Sequence, residues 1–351
     1  MSDPLLEVEN LTTRFHTDEG TVSAVDDISY TVETGDIVGI VGESGSGKSV
    51  SVRSLVRLID APGVIEAGRV HWKGQDVLQM NAEELRTLRG NEIAMVFQDP
   101  REALDPAQTV GAQIVEAIRA HRDLGRRRAR ERAVELLTEV GIAGPEEAID
   151  DYPHEYSGGM AQRALVAMAL ASEPDLLIAD EPTTGLDVTI QAQILDLLRD
   201  LQAERDMAIV MISHDLGVIS ELCERLIVMY AGRIAEQGML DDVLSDPKHP
   251  YTQLFLESVP RIDNPGDLTP IEGSPPNLAD PPSGCRFRDR CPNAKPICAH
   301  DRPPEIEFDR GHRAACYAYT EAYRASDAEP RPRPENPEEP VTHAVSDGGK
   351  R

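Results

Sequence analysis

The stretch IVGIVGESGSGKSVSVRSLVRLI, residues 37–59, joins a short apolar run to a glycine-rich turn and then to an amphipathic segment. Its first five residues suit a buried strand, and the apolar residues after position 49 recur at helical spacing. The turn at 42–49 reads Gly-Glu-Ser-Gly-Ser-Gly-Lys-Ser. A strand, a turn of this composition and a helix in this order predict a P-loop within an α/β fold.

The turn has the chemistry of a phosphate-binding loop. Its glycines let the backbone curl so that several N–H groups point at one anion, and the helix that follows adds partial positive charge. Lys48 can reach the β- and γ-phosphates of a nucleotide, and the Ser49 hydroxyl can ligate Mg²⁺. The residues predicted to contact ATP here are Gly42, Glu43, Ser44, Gly45, Ser46, Gly47, Lys48 and Ser49.

A second segment, PDLLIADEP at 174–182, places two carboxylates at the end of an apolar strand. Asp180 is expected to hold Mg²⁺, usually through water, and Glu181 is expected to act as the general base on the attacking water. An acidic strand end at the surface is the alternative interpretation, and the phosphate loop upstream disfavours it.

Residues Ser157, Gly158 and Gly159 open another predicted helix, which gives the chain a second anion-binding helix start. One nucleotide does not need both sites from one molecule, so two chains arranged head to tail are expected. Farther along, Asp187 lies in a predicted tight turn, and His214 follows an apolar strand where it would lie beside the γ-phosphate.

These motifs, in this order, resemble the ATP-binding subunits of ABC transporters over roughly residues 5–245. The matching segments are the Walker A loop at 42–49, the Q-loop at Gln98, the signature YSGGM at 156–160, the Walker B strand at 176–181, the D-loop at 184–187 and the switch residue His214. The signature departs from the commonest form at Tyr156 and Met160 but keeps its serine and glycines, so an active site is expected.

The resemblance implies further roles. Gln98 would sense Mg²⁺ and the attacking water, and residues 98–106 would face the membrane subunits. Phe15 would stack on the adenine. The expected ATP-binding domain, 1–245, combines a mixed sheet, with an antiparallel section around 68–77, and a helical subdomain inserted at about 91–164. A C-terminal extension, 246–325, and a disordered, proline-rich tail, 326–351, would follow.

Four of the five cysteines lie in the extension, at Cys285, Cys291, Cys298 and Cys316, with five, six and seventeen residues between them. Four thiolates on a loop-rich segment suggest a metal staple, either Zn²⁺ or an iron–sulfur cluster. Free buried cysteines or a disulfide are the alternatives. Cys223 lies in an apolar stretch and is expected to be part of the core.

The extension, with its HPYT, GC and RCP segments, is similar to the C-terminal region of oligopeptide and dipeptide importer ATPases. That similarity implies a 4Fe–4S site at the four cysteines. It also implies import of di- or oligopeptides with a second ATPase subunit, two transmembrane permeases and an extracellular binding protein. A heterodimer is expected, with a homodimer as the alternative, attached to the cytoplasmic face of the membrane.

Two alternative functions remain open at this point. The first is the same machine with another cargo, such as an oligosaccharide, nickel or glutathione. The second is an ABC ATPase that acts on DNA or ribosomes rather than in transport. That class would carry a long coiled-coil insertion or two cassettes in one chain, and the sequence has one cassette and no long heptad run.

The chain is strongly acidic, with 62 acidic and 35 basic residues and a formal net charge of −27. This charge disfavours nucleic acid as a partner, because phosphate contacts need cationic surface. It also suggests a halophile with a high-salt cytoplasm, where salt screens the repulsion. The N-terminus lacks the features of a secretory signal, and no apolar run reaches the ~20 residues that span a bilayer. An intracellular soluble subunit is therefore expected.

Overall fold

The computed structural model describes residues 4–258 and 270–326. Most of the predicted tail, 327–351, lies outside the described residues, so its disorder stays a prediction. The strands are β1 (Leu6–Thr17), β2 (Gly20–Val32), β3 (Ile37–Val41), β4 (Gly63–Trp72), β5 (Gln75–Asp76), β6 (Ile93–Val96), β7 (Leu176–Asp180), β8 (Ala208–Ile212), β9 (Arg225–Tyr230), β10 (Arg233–Met239), β11 (Glu305–Glu307) and β12 (Arg313–Ala315).

Helices lie between many of these strands, and five of them follow one another between β6 and β7. They are α1 (Lys48–Leu55), α2 (Ala82–Thr87), α3 (Pro100–Ala103), α4 (Val110–His121), α5 (Arg126–Glu139), α6 (Pro145–Ala148), α7 (Gly158–Ala169), α8 (Val188–Arg205), α9 (Leu216–Leu222), α10 (Leu240–Ser245), α11 (Pro250–Glu257) and α12 (Glu321–Arg324). Within the described ranges, no helix has the length and apolarity needed to cross a membrane.

An eight-stranded mixed sheet forms the centre of the molecule, in the order β11-β12-β10-β9-β3-β8-β7-β6. The five strands from β9 to β6 run parallel, and β10, β12 and β11 continue the sheet antiparallel. Every residue of β3, β7 and β8 is buried, as expected for parallel strands covered on both faces. The predicted α/β class and mixed sheet are confirmed.

A separate antiparallel sheet, in the order β2-β1-β4-β5, packs against one face of the central sheet. It contains the predicted antiparallel section at 68–77, where β4 pairs with β1 and β5. Helix α1 lies between the sheets, and its Ser54 hydroxyl hydrogen-bonds the Thr13 hydroxyl of β1 at 2.8 Å. The small sheet therefore supports the helix that begins at the phosphate loop.

The helical part between β6 and β7 starts later than the predicted 91. Residues 93–96 form β6, which pairs with β7 in the central sheet, and helices begin at Pro100. This apolar strand is too short to be distinguished from a helical turn by periodicity alone. Helices α4, α5 and α7 pack around a core that includes Ile114, Leu136 and Val166.

The arginine-rich start of α5 forms a charged face on this helical part. Arg127 pairs with Glu131 at 2.7 Å, and Arg132 pairs with Glu139 at 2.6 Å. These acidic partners balance the arginines within the helix itself.

The C-terminal region does not form a separate body, because β12 and β11 extend the central sheet from β10. Glu236 of β10 is fully buried and accepts hydrogen bonds from the Lys248 N–H at 2.6 Å and the His249 N–H at 2.8 Å. It also bonds Nε2 of His312 at 2.7 Å. One carboxylate thus joins β10 to the turn before α11 and to the start of β12.

Candidate active site

The loop between β3 and α1 is shaped by glycines in conformations that other residues rarely adopt. Gly42 has φ 151° and Gly47 has φ 98°. A Cβ atom on Gly42 would lie 2.1 Å from the carbonyl oxygen of Met229, and one on Gly47 would lie 2.2 Å from that of Ala24. Side chains at these positions would displace backbone, so the loop depends on glycine here.

Lys48 extends back over this loop. The residue is 6% exposed, and Nζ donates hydrogen bonds to the carbonyl oxygens of Gly42 at 2.8 Å and Glu43 at 3.0 Å. Burial lowers the pKa of Lys48, and the charges of Glu181, Asp180 and Glu43 oppose that shift. The ammonium group therefore lies within the curve of the loop, where an anion would meet it.

Ser49 and Asp180 meet between α1 and the end of β7. The Ser49 hydroxyl donates to Oδ1 of Asp180 at 2.9 Å, and Nη2 of Arg53 lies 3.4 Å from Oδ2. Asp180 is fully buried, and burial raises the pKa of its carboxyl, whereas the bond from Ser49 lowers it. The pair offers two oxygen ligands, the donor type that Mg²⁺ prefers.

Glu181 follows at the carboxyl end of β7, and three side chains from neighbouring loops surround its Oε2 atom. Gln98 Nε2 donates to it at 3.0 Å, the Thr184 hydroxyl donates at 3.0 Å, and His214 Nδ1 lies at 3.2 Å. The loops after β6, β7 and β8 converge here because the carboxyl ends of parallel strands share one sheet edge.

Glu181 also has an unusual backbone, with φ 51°, in the left-handed region that few residues other than glycine adopt. Its N–H is held by the Ile212 carbonyl at 3.0 Å. The Glu181 side chain is 16% exposed and that of His214 is 60% exposed, so solvent reaches this carboxylate only in part, beside the histidine. A fixed carboxylate beside solvent can accept a proton from an approaching water.

The glycine-rich start of α7 lies across a groove from these residues. Ser157 caps the helix by accepting a hydrogen bond from the Met160 N–H at 3.3 Å. Gly158 lines a groove of about 860 Å³ together with Arg53, Gln98 and Leu186. Tyr156 is buried and donates its hydroxyl proton to the Ala148 carbonyl at 2.9 Å, so this departure from the commonest signature has a packing role.

Comparisons with known proteins agree with this arrangement. The family model described as ABC transporter matches residues 25–184, and the model described as oligopeptide/dipeptide transporter, C-terminal region, matches 235–298. A probable peptide ABC transporter ATP-binding protein of Sinorhizobium fredii is 47% identical, covering 91% of this chain and 96% of that protein.

This chain belongs to the ABC transporter ATP-binding family. A dipeptide transport ATP-binding protein of Escherichia coli is 46% identical over 89% of this ABC ATPase and 96% of its own length. A counterpart of Bacillus subtilis is 45% identical over 90% and 95%. A solved dimeric ATP-binding cassette bound to ADP and phosphate aligns with a TM-score of 0.60 and 28% identity, over 67% of this chain and 98% of that one.

Most of the site residues predicted from the sequence lie close together in this ABC ATPase. The loop at 42–49 adjoins Asp180 through Ser49, and Gln98 and His214 meet at Glu181. Other predicted residues lie outside this cluster of contacts. Phe15 is half-buried near the end of β1 and packs against Gly63, and Asp187 caps α8 by accepting from the Ile190 N–H at 3.0 Å.

Sequence reasoning missed two residues at the centre of the site. Thr184 bonds Glu181 from three positions downstream, a spacing that is visible in the sequence. Arg53 bonds Asp180 from one turn beyond Ser49, which helical periodicity could have indicated. Tyr251 and Arg290 also contact Glu43. Each is more than 200 positions away from it in the sequence, so no local sequence pattern could have indicated these contacts.

The four C-terminal cysteines of the ABC ATPase line one small cavity of about 20 Å³, together with His249, Phe287 and Tyr323. All four are free thiols, so the disulfide alternative is absent from the described residues. Burial raises the pKa of Cys291 to about 12, and the neighbouring thiols of Cys285, Cys316 and Cys298 add to the shift.

The thiols are gathered but not arranged as ligands. Among residues 4–258 and 270–326, no group of three or more Cys, His, Asp or Glu side chains has the arrangement of a metal site. The predicted metal staple is therefore not shown, although the chemistry of four free sulfurs around one cavity fits a Cys₄ metal group. Cys223 is buried beside β3, as predicted.

Proposed function

We propose that this ABC ATPase powers an importer of di- or oligopeptides from the cytoplasmic face of the membrane. One observation carries the cargo class: residues 235–298 match the C-terminal region of oligopeptide/dipeptide transporters, directly after a complete set of nucleotide-site motifs. The curated relatives that span this chain almost entirely are named for peptide or dipeptide transport.

In the proposed cycle, the loop at 42–49 binds the phosphates of ATP. Lys48 exchanges its bonds to the Gly42 and Glu43 carbonyls for bonds to the β- and γ-phosphates. Ser49 and Asp180, which bond each other in this structure, would hold Mg²⁺ between them and the nucleotide. Mg²⁺ usually takes few protein ligands besides phosphates and waters, so two protein oxygens suffice. When bound, it would neutralise charge on the phosphates.

Glu181 is proposed as the general base. Its Oε2 atom accepts from Gln98 and Thr184, and these donors fix the carboxylate while its solvent-facing side stays accessible. A water placed there would lose its proton to Glu181 as it attacks the γ-phosphorus, whose bond to the bridging oxygen would break and release ADP. Gln98 and His214 would orient that water. Because both would contact the γ-phosphate region, their loops would change position when the phosphate is bound or released.

The remaining site residues are proposed to act across a dimer. Ser157, Gly158 and Gly159 of one subunit would complete the nucleotide site of the other, with Asp187 at the interface and Phe15 against the adenine. The second ATPase subunit is proposed to be a different chain, with a homodimer as the alternative. Two transmembrane permeases, contacted through residues 98–106, and an extracellular binding protein would complete the importer.

The proposed chain has three parts. Residues 1–245 form the ATP-binding domain, 246–325 the extension and 326–351 the tail. The helical subdomain is placed after β6 because residues 93–96 pair with β7.

Co-purification tests the importer. The tagged protein is extracted gently from native membranes in high salt, and its companions are identified by mass spectrometry, with an untagged strain as the control. We expect two multi-span permeases, a second ATPase and a binding protein whose retained ligand is a peptide. If the retained ligand were a sugar, nickel or glutathione, that ligand and not a peptide would be the cargo. Recovery of ribosomes or DNA without permeases would contradict the transport function.

We also propose a 4Fe–4S cluster at Cys285, Cys291, Cys298 and Cys316, with Zn²⁺ as the alternative. The four free sulfurs around one cavity support this, since such a group needs four thiolates and no competing disulfide.

A high-salt cytoplasm is the last part of the proposal, and it rests on the net charge of −27. Many carboxylates on one surface repel each other less when the Debye length shortens to a few ångströms, about 3 Å at 1 M salt. Folding of this chain should therefore be favoured by salt.

A further inference from the structure

The C-terminal region forms an ion pair with Glu43, the second residue of the phosphate loop. Arg290 Nη1 donates to Glu43 Oε2 at 2.6 Å, and Arg290 Nη2 donates to Oε1 at 2.9 Å. This two-bond, fork-to-fork geometry is the strong form of an arginine–carboxylate pair. The Arg290 side chain is 6% exposed and that of Glu43 is 23% exposed, so solvent screens the pair only partly.

Tyr251 of α11 makes a second contact with the same residue. The backbone N–H of Glu43 donates to the Tyr251 hydroxyl oxygen at 2.9 Å, and Tyr251 is fully buried. An N–H group of the loop is thereby directed toward the C-terminal region. Tyr251 therefore fixes the backbone at Glu43, while Arg290 fixes its side chain.

Arg290 is itself held in place on several sides. Its Nε donates to the Glu272 carbonyl at 2.9 Å and its Nη2 to the Ile271 carbonyl at 3.1 Å. Its guanidinium lies 5.8 Å from the ring centre of Tyr230 and 5.9 Å from that of Phe287. A side chain with these partners is pre-organised, so little conformational entropy is lost when it binds Glu43.

The charge at Glu43 matters because of what the loop binds. The Glu43 carbonyl lies 3.0 Å from Nζ of Lys48, so the residue adjoins the position proposed for the β- and γ-phosphates. A free carboxylate there would repel the polyphosphate, and partial burial would strengthen that repulsion. Arg290 cancels this charge from outside the loop.

We propose that Arg290 is a positioning residue for ATP binding, which acts by neutralising and fixing Glu43, with Tyr251 holding the adjoining backbone. The C-terminal region thus sets the nucleotide affinity of the phosphate loop. This role rests on the proposed nucleotide binding at 42–49 and is independent of the cargo.

Binding of a fluorescent ATP analogue to the full chain, with Mg²⁺ present, tests the proposal. We expect Arg290→Gln to raise Kd about tenfold, equivalent to about 1.4 kcal/mol. Adding Glu43→Gln in that background should recover most of the loss, because the unpaired carboxylate is gone. A pair that served only the fold would leave the Kd of the folded Arg290→Gln variant unchanged. Arg302→Gln, another arginine of the region that pairs with Asp27 away from the loop, is the matched control and should stay within about twofold.

Folding is checked on the same samples by thermal melting and by counting reactive thiols, since Arg290 adjoins Cys291. If Arg290→Gln does not fold, Arg290→Lys keeps the charge without the fork and should give a smaller rise in Kd. A folded Arg290→Gln with unchanged Kd, or a double variant as weak as the single one, would overturn the proposal. Failure of the unmodified chain to bind the analogue would instead refute the nucleotide role of the loop.

Discussion

Replacement of Glu236 by alanine should destabilise the protein strongly, because this buried carboxylate accepts three hydrogen bonds at 2.6, 2.8 and 2.7 Å. Alanine leaves the buried donors at His249 and His312 and the part-buried N–H of Lys248 without this acceptor. Each buried donor left unsatisfied costs about 1–3 kcal/mol. We therefore expect a loss of at least about 3 kcal/mol in the free energy of unfolding, a large share of the roughly 5–15 kcal/mol typical of native proteins.

Urea unfolding at fixed KCl concentration measures this loss. The chain has one tryptophan, Trp72, which is 2% exposed in β4, so its fluorescence reports the folded ATP-binding domain. Glu307→Ala is the matched control, because Glu307 is exposed and its carboxylate lies 3.5 Å from the guanidinium of Arg313, in a surface ion pair. It should change the unfolding free energy by less than about 0.5 kcal/mol. A Glu236→Ala loss as small as that of the control would refute the anchoring role of this carboxylate.

Three further predictions concern the site, the cysteines and the surface charge. Glu181→Gln should keep ATP binding but lower the hydrolysis rate at least about 100-fold, since the general base is lost; unchanged phosphate release would refute the base assignment. Protein purified without oxygen should contain iron and acid-labile sulfide and absorb visible light, and Cys316→Ser should lower the iron content. One equivalent of zinc in a colourless protein would exclude the cluster. The melting temperature should rise with KCl concentration, because screening relieves the repulsion of a chain with net charge −27, and a maximum in low salt would rule out the halophile hypothesis.

The centre of the active site could be predicted because its chemistry follows strand ends. Gln98, Glu181 and His214 each come shortly after a short apolar run, and parallel strands place those ends together. The phosphate loop could be predicted for a different reason. Its glycines mark the positions whose backbone conformations other residues rarely adopt. Local sequence was therefore sufficient to predict the loop and the meeting of these three residues at one sheet edge.

The docking of the C-terminal region could not be predicted from the sequence. Arg290 and Glu43 are 247 positions apart, and no sequence pattern around either residue indicates the other as its partner. Strands β11 and β12 have three residues each, too few for period-two alternation to be recognised. Four cysteines on one loop-rich segment predicted that the thiols gather, but their positions around the cavity depend on loops whose course is set by tertiary contacts.

The continuation of the central sheet by β12 has a consequence for aggregation. In the full chain, β12 covers the edge of β10 that faces away from β9. A protein cut at residue 245 would present that edge of β10 unpaired, with bare N–H and C=O groups able to recruit strands from other molecules. The strand that ends the intact sheet, β11, has three residues, and two of them are glutamates. A short, charged margin of this kind discourages edge-to-edge pairing, so we expect a chain cut at residue 245 to self-associate more than the intact one.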